Sequence, residues 1–138
     1  MLHGIPFSFK DHIRYKGSSS TWGHPTKIYP LDSETCITIQ MLMRDGAIPL
    51  VKSALPTVPA LSTYNIITGF AKNPYNPKRT SGGSSGGEGG LVGSGCTPFG
   101  IGSDMAGSVR IPAGWCGVAG LSPSVKRVAW GSSLGLFQ

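Results

Sequence analysis

Ser81-Gly-Gly-Ser-Ser-Gly-Gly-Glu-Gly-Gly90, followed closely by Gly102-Ser-Asp-Met-Ala-Gly-Ser-Val-Arg-Ile-Pro-Ala113, is the part of the chain whose reading decides the fold. By composition alone the first stretch is a flexible linker. Two features argue otherwise. The glycine-rich sequence runs without a break into apolar residues (Leu91, Val92, Phe99, Ile101), and a second dense motif follows at once. A phosphate cradle fits no better. GxxxxGKS/T is absent, and neither Gly93-x-Gly95 nor Gly100-x-Gly102 is followed by glycine at the required offset. What remains is backbone that must adopt strained angles and bring its N–H groups close to a substrate.

The rest of the composition suits such a site within a globular unit. The 138 residues fit one domain large enough to bury a core. A hydrophobic content of 39% against 13% charged residues excludes a disordered chain. Glycine (21) and proline (11) are too abundant for a helix bundle and lack the period of collagen. The net charge of +6 comes from scattered residues, among them Lys10, Arg14, Lys16, Lys72, Lys78, Arg79, Lys126 and Arg127. No aromatic-studded basic stripe is present, so a solvated surface is expected rather than a nucleic-acid partner.

Cys36, Cys96 and Cys116 are odd in number and show no CxxC spacing. They read as reduced, small, buried apolar residues in an intracellular setting, cytoplasmic or membrane-associated on the cytosolic side, rather than as a disulfide framework or zinc site. His3, His12 and His24 lack metal-ligand spacing and are expected on the surface or in turns. Neither a metal nor a cofactor is expected. The start, MLHGIPFSF, shows no signal peptide, and no apolar run approaches the ~18 residues of a spanning helix.

Ile5–Phe9 reads as a strand ending at Lys10-Asp11, followed by turn-rich sequence to Pro30. Asp32 reads as a helix N-cap, with Glu34 in the first turn and Thr35 where a complete capping box would need Glu or Gln. Cys36, Ile39, Leu42 and Met43 fall at helical spacing, Gly46 supplies the stop, and Ala47–Val51 reads as a strand. From Ser53 to Ser81 the sequence is loop-like, broken by Pro56, Pro59, Pro74 and Pro77.

The two serine motifs resemble the amidase signature, GGSSGG followed by G-S/T-D-x-G-G-S-x-R-x-P. Gly4-Ile-Pro-Phe-Ser-Phe-Lys-Asp11 is similar to the family's lysine segment, and Asp32–Leu50 to its helix and strand ending in GAIP. Asn65, Gly69, Asn73-Pro74 and Cys116-Gly-Val-Ala-Gly-Leu121 extend the likeness over nearly the whole chain. Glu88, in Gly86-Gly-Glu-Gly89, looks like the branch of fatty-acid amide hydrolases and fungal acetamidases.

The resemblance implies an α/β fold, a mixed β-sheet flanked by helices, of which residues 1–138 would be an incomplete part. It implies a Ser–Ser–Lys triad with Ser108 as nucleophile, Ser84 as a bridging serine held by a cis peptide bond, and Lys10 as base. The backbone N–H groups of Met105, Ala106, Gly107 and Ser108 would form the oxyanion hole. Ser85, Asp104 and Arg110 would support the serine loops. The implied substrate is a small-molecule acyl amide. Membrane association would lie outside this chain, and the oligomeric state is open.

This chemistry is sound physically. A serine hydroxyl needs a neighbour to take its proton, and a lysine can do so once burial has made its neutral form accessible. Ala106 departs from the family by replacing the first glycine of GGS, and a positive φ there would cost on the order of 1 kcal/mol. Ser122 replaces a frequent lysine. Because missing strands would leave edges unpaired, the chain expressed alone is expected to be unstable or to aggregate. Two other readings are an inactive truncated fragment and a glutamine-dependent tRNA amidotransferase subunit; Glu88 and the missing basic stripe speak against the second.

Overall fold

The computed structural model describes residues 1–129. Its centre is β1 (Pro6–Lys10), the middle strand of a parallel three-stranded sheet. On one side lies β2 (Ile48–Ser53) and on the other the short β5 (Gly100–Ile101). In register, Lys10 stands opposite Ser53 and Ser8 opposite Gly100. A register shift between Phe7 and Ser8 accompanies Pro49 on β2, an outer strand where a missing N–H is tolerated.

Phe7, Ser8, Phe9 and Lys10 are all buried, as expected of a strand covered on both faces. Side chains alternate along it, so the two faces carry different chemistry. Phe7 and Phe9 enter an apolar core with Ile13, Cys36, Ile39 and Ala47, and Phe7 stacks on Phe99 at a centroid distance of 5.3 Å. Helix α1 (Ile37–Arg44) contributes Ile39 to that core. Ser8 and Lys10 face the other way, toward α2 (Gly86–Gly93) and the serine loops. The result is an α/β arrangement with helices on both faces of the sheet, as the resemblance implies, although among the described residues this sheet is parallel rather than mixed. A two-stranded antiparallel pair, β3 (Tyr64–Asn65) with β4 (Gly69–Phe70), lies within the stretch expected to be loop, and α3 (Arg110–Trp115) follows the second serine motif.

Asp32 does not cap a helix. Its carboxylate accepts from the Ser20 hydroxyl at 2.7 Å and the Tyr15 N–H at 3.3 Å, and lies 3.6 Å from Lys52 Nζ. Glu34 pairs with Arg14 on the surface, and Thr35 Oγ1 accepts from the Lys16 N–H. With these side chains engaged elsewhere, the helix begins only at Ile37, after Cys36. The lysine that captures Asp32 sits on β2, so a tertiary contact overrides the local capping preference.

The glycine run also differs from expectation. Gly86–Gly93 is a helix, although glycine is a poor helix former. Packing accounts for it. A Cβ on Gly87 would lie 2.4 Å from the Ala54 nitrogen, and one on Gly89 would lie 2.9 Å from Pro112 Cβ. These glycines let the helix seat against the end of β2 and against α3, so part of the run serves close packing rather than a substrate.

Two smaller expectations are corrected. Cys36 and Cys116 are buried, but Cys96 is exposed, because it follows the exposed Ser94-Gly95 turn after α2. His12 lies in a turn, as expected, but is buried rather than superficial, its ring 5.0 Å from that of Trp22. Burial, and then the nearby Lys10 and Lys52, push its pKa down to about 3. Among the described residues no helix is long and apolar enough to cross a membrane.

Candidate active site

Lys10 ends β1 with only 3% of its surface exposed. Its Nζ lies 2.8 Å from Ser84 Oγ and 3.0 Å from Ser103 Oγ. The Ser84 hydroxyl in turn reaches Ser108 Oγ at 2.9 Å. Lys10, Ser84 and Ser108 are separated by 74 and 24 positions in sequence, yet form one continuous chain of polar atoms. The peptide bond between Gly83 and Ser84 is cis.

The two serine loops are fastened to each other. The Ser85 N–H donates to the Ser108 carbonyl at 3.0 Å, and Ser85 Oγ bonds to the Ser103 carbonyl at 3.3 Å and accepts from the Ser103 N–H at 3.4 Å. Ser85 thus sets the spacing between the loop that carries Ser84 and the loop that carries Ser108.

Asp104 organises the second loop from within. Its carboxylate accepts from the N–H groups of Gly107, Val109 and Arg110, at 2.7, 3.1 and 3.2 Å. It also receives a two-pronged pair from the Arg110 guanidinium, at 3.0 and 2.9 Å. The Asp104 side chain is 4% exposed and that of Arg110 58%, so the arginine closes the loop from the solvent side. Arg110, followed by the backbone N–H groups, holds the Asp104 carboxyl well below the usual carboxylate range.

That arrangement changes the status of two neighbouring residues. The left-handed position of the loop is Gly107, with φ of +110°, and Ala106 is not among the residues with positive φ. The methyl group of Ala106 therefore carries none of the backbone penalty that a positive φ would impose. Of the four amides singled out for an oxyanion hole, that of Gly107 is occupied by Asp104. The amides of Met105, Ala106 and Ser108 have no acceptor among the described residues.

Burial brings the Lys10 pKa down to about 8, against the opposing pull of Glu88 and Asp104. Glu88 moves the other way, raised to about 7 by burial despite the hydroxyls of Ser53 and Ser8 and the charge of Lys10. Ser8 Oγ donates to Glu88 Oε2 and bonds to Thr97 Oγ1, while Ser53 Oγ and Glu88 Oε1 close no full hydrogen bond. Ser103 and Glu88 are the two site residues whose contacts the motifs do not announce. Ser103 is one more small residue beside Asp104, and Glu88 reads in the sequence only as the marker of a branch.

The central strand of the parallel sheet thus ends in a buried lysine that faces two serine loops. The model of the amidase family matches residues 1–137, and the chain belongs to that family. It is 44% identical to the vitamin D3 hydroxylase-associated protein of Gallus gallus, over 94% of this chain and 28% of that protein. A solved fatty acid amide hydrolase superposes with a TM-score of 0.78 at 42% identity, over 81% of this chain and 20% of that one. A glutamyl-tRNA(Gln) amidotransferase subunit from Thermotoga maritima superposes with a TM-score of 0.84 at 31% identity, over 88% of this chain and 27% of that one. The chain spans about a quarter of the length of the curated relatives it matches.

Proposed function

We propose that the chain carries the catalytic core of an amide hydrolase working through an acyl-enzyme on Ser108, with acyl amides, fatty-acid amides among them, as substrates. The observation that carries this reading is the unbroken relay from Lys10 Nζ through Ser84 Oγ to Ser108 Oγ. Identity to the fatty acid amide hydrolase, higher than to the amidotransferase subunit, supports the substrate class.

With its pKa at about 8, Lys10 is neutral in about a tenth of molecules at pH 7. The neutral amine accepts the Ser84 proton while Ser84 accepts that of Ser108; both hydroxyls need only rotate. Ser108 Oγ then attacks the amide carbonyl, and the negative charge that develops on its oxygen faces the amides of Met105, Ala106 and Ser108. As the C–N bond breaks, the proton held on Lys10 returns through Ser84 to the leaving nitrogen, releasing ammonia or an amine. Water, deprotonated by the same relay, attacks the ester and frees the acid and Ser108. Ser85 and the Asp104–Arg110 pair hold the loops in register throughout.

The test is labelling of the protein by a fluorophosphonate probe. Ser108→Ala is expected to abolish labelling, and Ser84→Ala and Lys10→Ala to slow it by about two orders of magnitude or more. Wild-type protein that stays folded but unlabelled would overturn the proposal.

A further inference from the structure

Resting on the proposal that Lys10 is the base, we infer that Glu88 is a positioning residue for it, a buried counter-charge that sets how much of the lysine is neutral. The pocket is built for a carboxylate. Ser8 and Lys10 are two residues apart on β1 and so lie on one face of the strand. Ser8 donates to Glu88 Oε2 from that face. Ser53, opposite Lys10 in register, approaches the carboxyl from β2, and Thr97 bonds to Ser8 from the far side. Gly100, opposite Ser8 on β5, leaves the space. A Cβ there would collide with Glu88 Oε2. One short segment thus brings both partners to the lysine, Ser84 as its hydrogen-bond partner and Glu88 four residues on as its charge partner.

The groups around Lys10 come from every element packed there. Glu88 from α2 and Asp104 from the serine loop favour its proton. His12, just beyond the strand, is held neutral, and Lys52 on β2 is engaged by Asp32 and Ser20. β5 brings no titratable group, and the arginine of α3 is bound to Asp104. Asp104 is paired with Arg110, whereas Glu88, the larger of the two influences on the lysine, has no cation bonded to it among the described residues. Burial moves the two groups toward each other, the Glu88 carboxyl up to about 7 and the Lys10 amine down to about 8, so both change charge over the same pH range. The two titrate as a coupled pair.

The experiment is the pH profile of fluorophosphonate labelling in wild-type protein and Glu88→Gln. Removing the carboxylate lowers the affinity of Lys10 for its proton, so the acid limb should move to lower pH by about half a unit to one unit. Well below the limb the two profiles should converge, because Glu88 is itself protonated there and has no charge to remove. A merely structural role would lower labelling at all pH values and leave the limb in place, and that result overturns the inference. Should Glu88→Gln not fold, a 13C titration of Lys10 Cε and Glu88 Cδ in the wild-type protein decides the matter. Shared inflections support the coupling, and independent single steps overturn it. Wild-type protein without labelling would sink the proposed reaction, while the carbon titration would still decide the role of Glu88.

Discussion

Gly107 gives its backbone N–H to Asp104 Oδ1 at 2.7 Å, and does so from a φ of +110°. The left-handed residue and the carboxylate that fixes it are three positions apart, and together they turn the loop so that Ser108 meets Ser84. A Cβ on Gly107 would also lie 2.7 Å from Ile111 Cδ1. Gly107→Ala is therefore expected to cost about 1–2 kcal/mol in backbone strain alone and to reduce probe labelling at least about tenfold. Ala106→Gly, which restores the residue common in the family, should change labelling less than about threefold and lower stability by about 0.4–1 kcal/mol. Urea unfolding and labelling rates of both variants check this pair; a large gain of activity in Ala106→Gly would contradict the loop geometry.

The proposed reaction implies a pH dependence. In it the neutral form of Lys10 is the active one, and burial lowers the lysine's pKa to about 8. Labelling should rise with pH through about 8 and level off above it, whereas an unperturbed lysine would still be climbing near pH 10. A rate profile between pH 6 and 10 at fixed ionic strength reads this directly.

Asp104 links stability to pH in the opposite region. Its folded-state pKa is depressed, by Arg110 first, so its contribution is present above the ordinary value of 3.8 and fades as pH falls below it. Asp104→Asn should be less stable than wild type at neutral pH, by about 1.5–3 kcal/mol for weakened bonds to a charged acceptor. The two stability curves should converge in acid. Denaturation midpoints measured between pH 2 and 7 would show parallel curves if the carboxylate charge were unimportant.

At Gly87 the tolerance for a side chain is smallest on the β2 side. A methyl group would meet Ala54 backbone nitrogen at 2.4 Å and its oxygen at 2.6 Å, neither of which can rotate away. Gly87→Ala is expected to destabilise by about 1–3 kcal/mol and to slow labelling by displacing Ser84 at the head of the same segment. An unchanged melting temperature would mean that α2 does not seat as described.

Among the described residues neither outer strand of the sheet has a further partner, and on β2 the side chains of Ile48, Leu50 and Val51 are exposed. Unpaired backbone groups on such an edge template further pairing, and exposed apolar side chains favour it. These 138 residues expressed alone should elute from size exclusion as aggregates or associated species; a cooperative monomer by circular dichroism and chromatography would refute this.

The legible part of the site was the part written in contiguous motifs. Lys10, Ser84, Ser108, Ser85, Asp104 and Arg110 stand in segments whose residue order is itself the signal. The β1 strand and the end of α1 at Gly46 were legible for a similar reason, since period and stop residue are local. The start of α1 was not, because Asp32 is claimed by Lys52 twenty positions on. The helix at Gly86–Gly93 was hidden by its composition, since close packing against Ala54 and Pro112 outweighs a poor propensity. Ser103 carries no signal of its own in the sequence, since its contact with Lys10 bridges 93 positions. The pocket of Glu88 could not, because Ser8, Ser53, Thr97 and Gly100 come from four separate places in the chain.

The register that sets Lys10 opposite Ser53 and Ser8 opposite Gly100 has a further consequence. The lysine belongs to the strand that is zipped on both edges, so local opening that exposes it must first unfasten a neighbour. Amide exchange in β1 should accordingly be slower than in β2 or β5. Exchange along β1 would then report opening of the sheet itself rather than fraying of either outer strand.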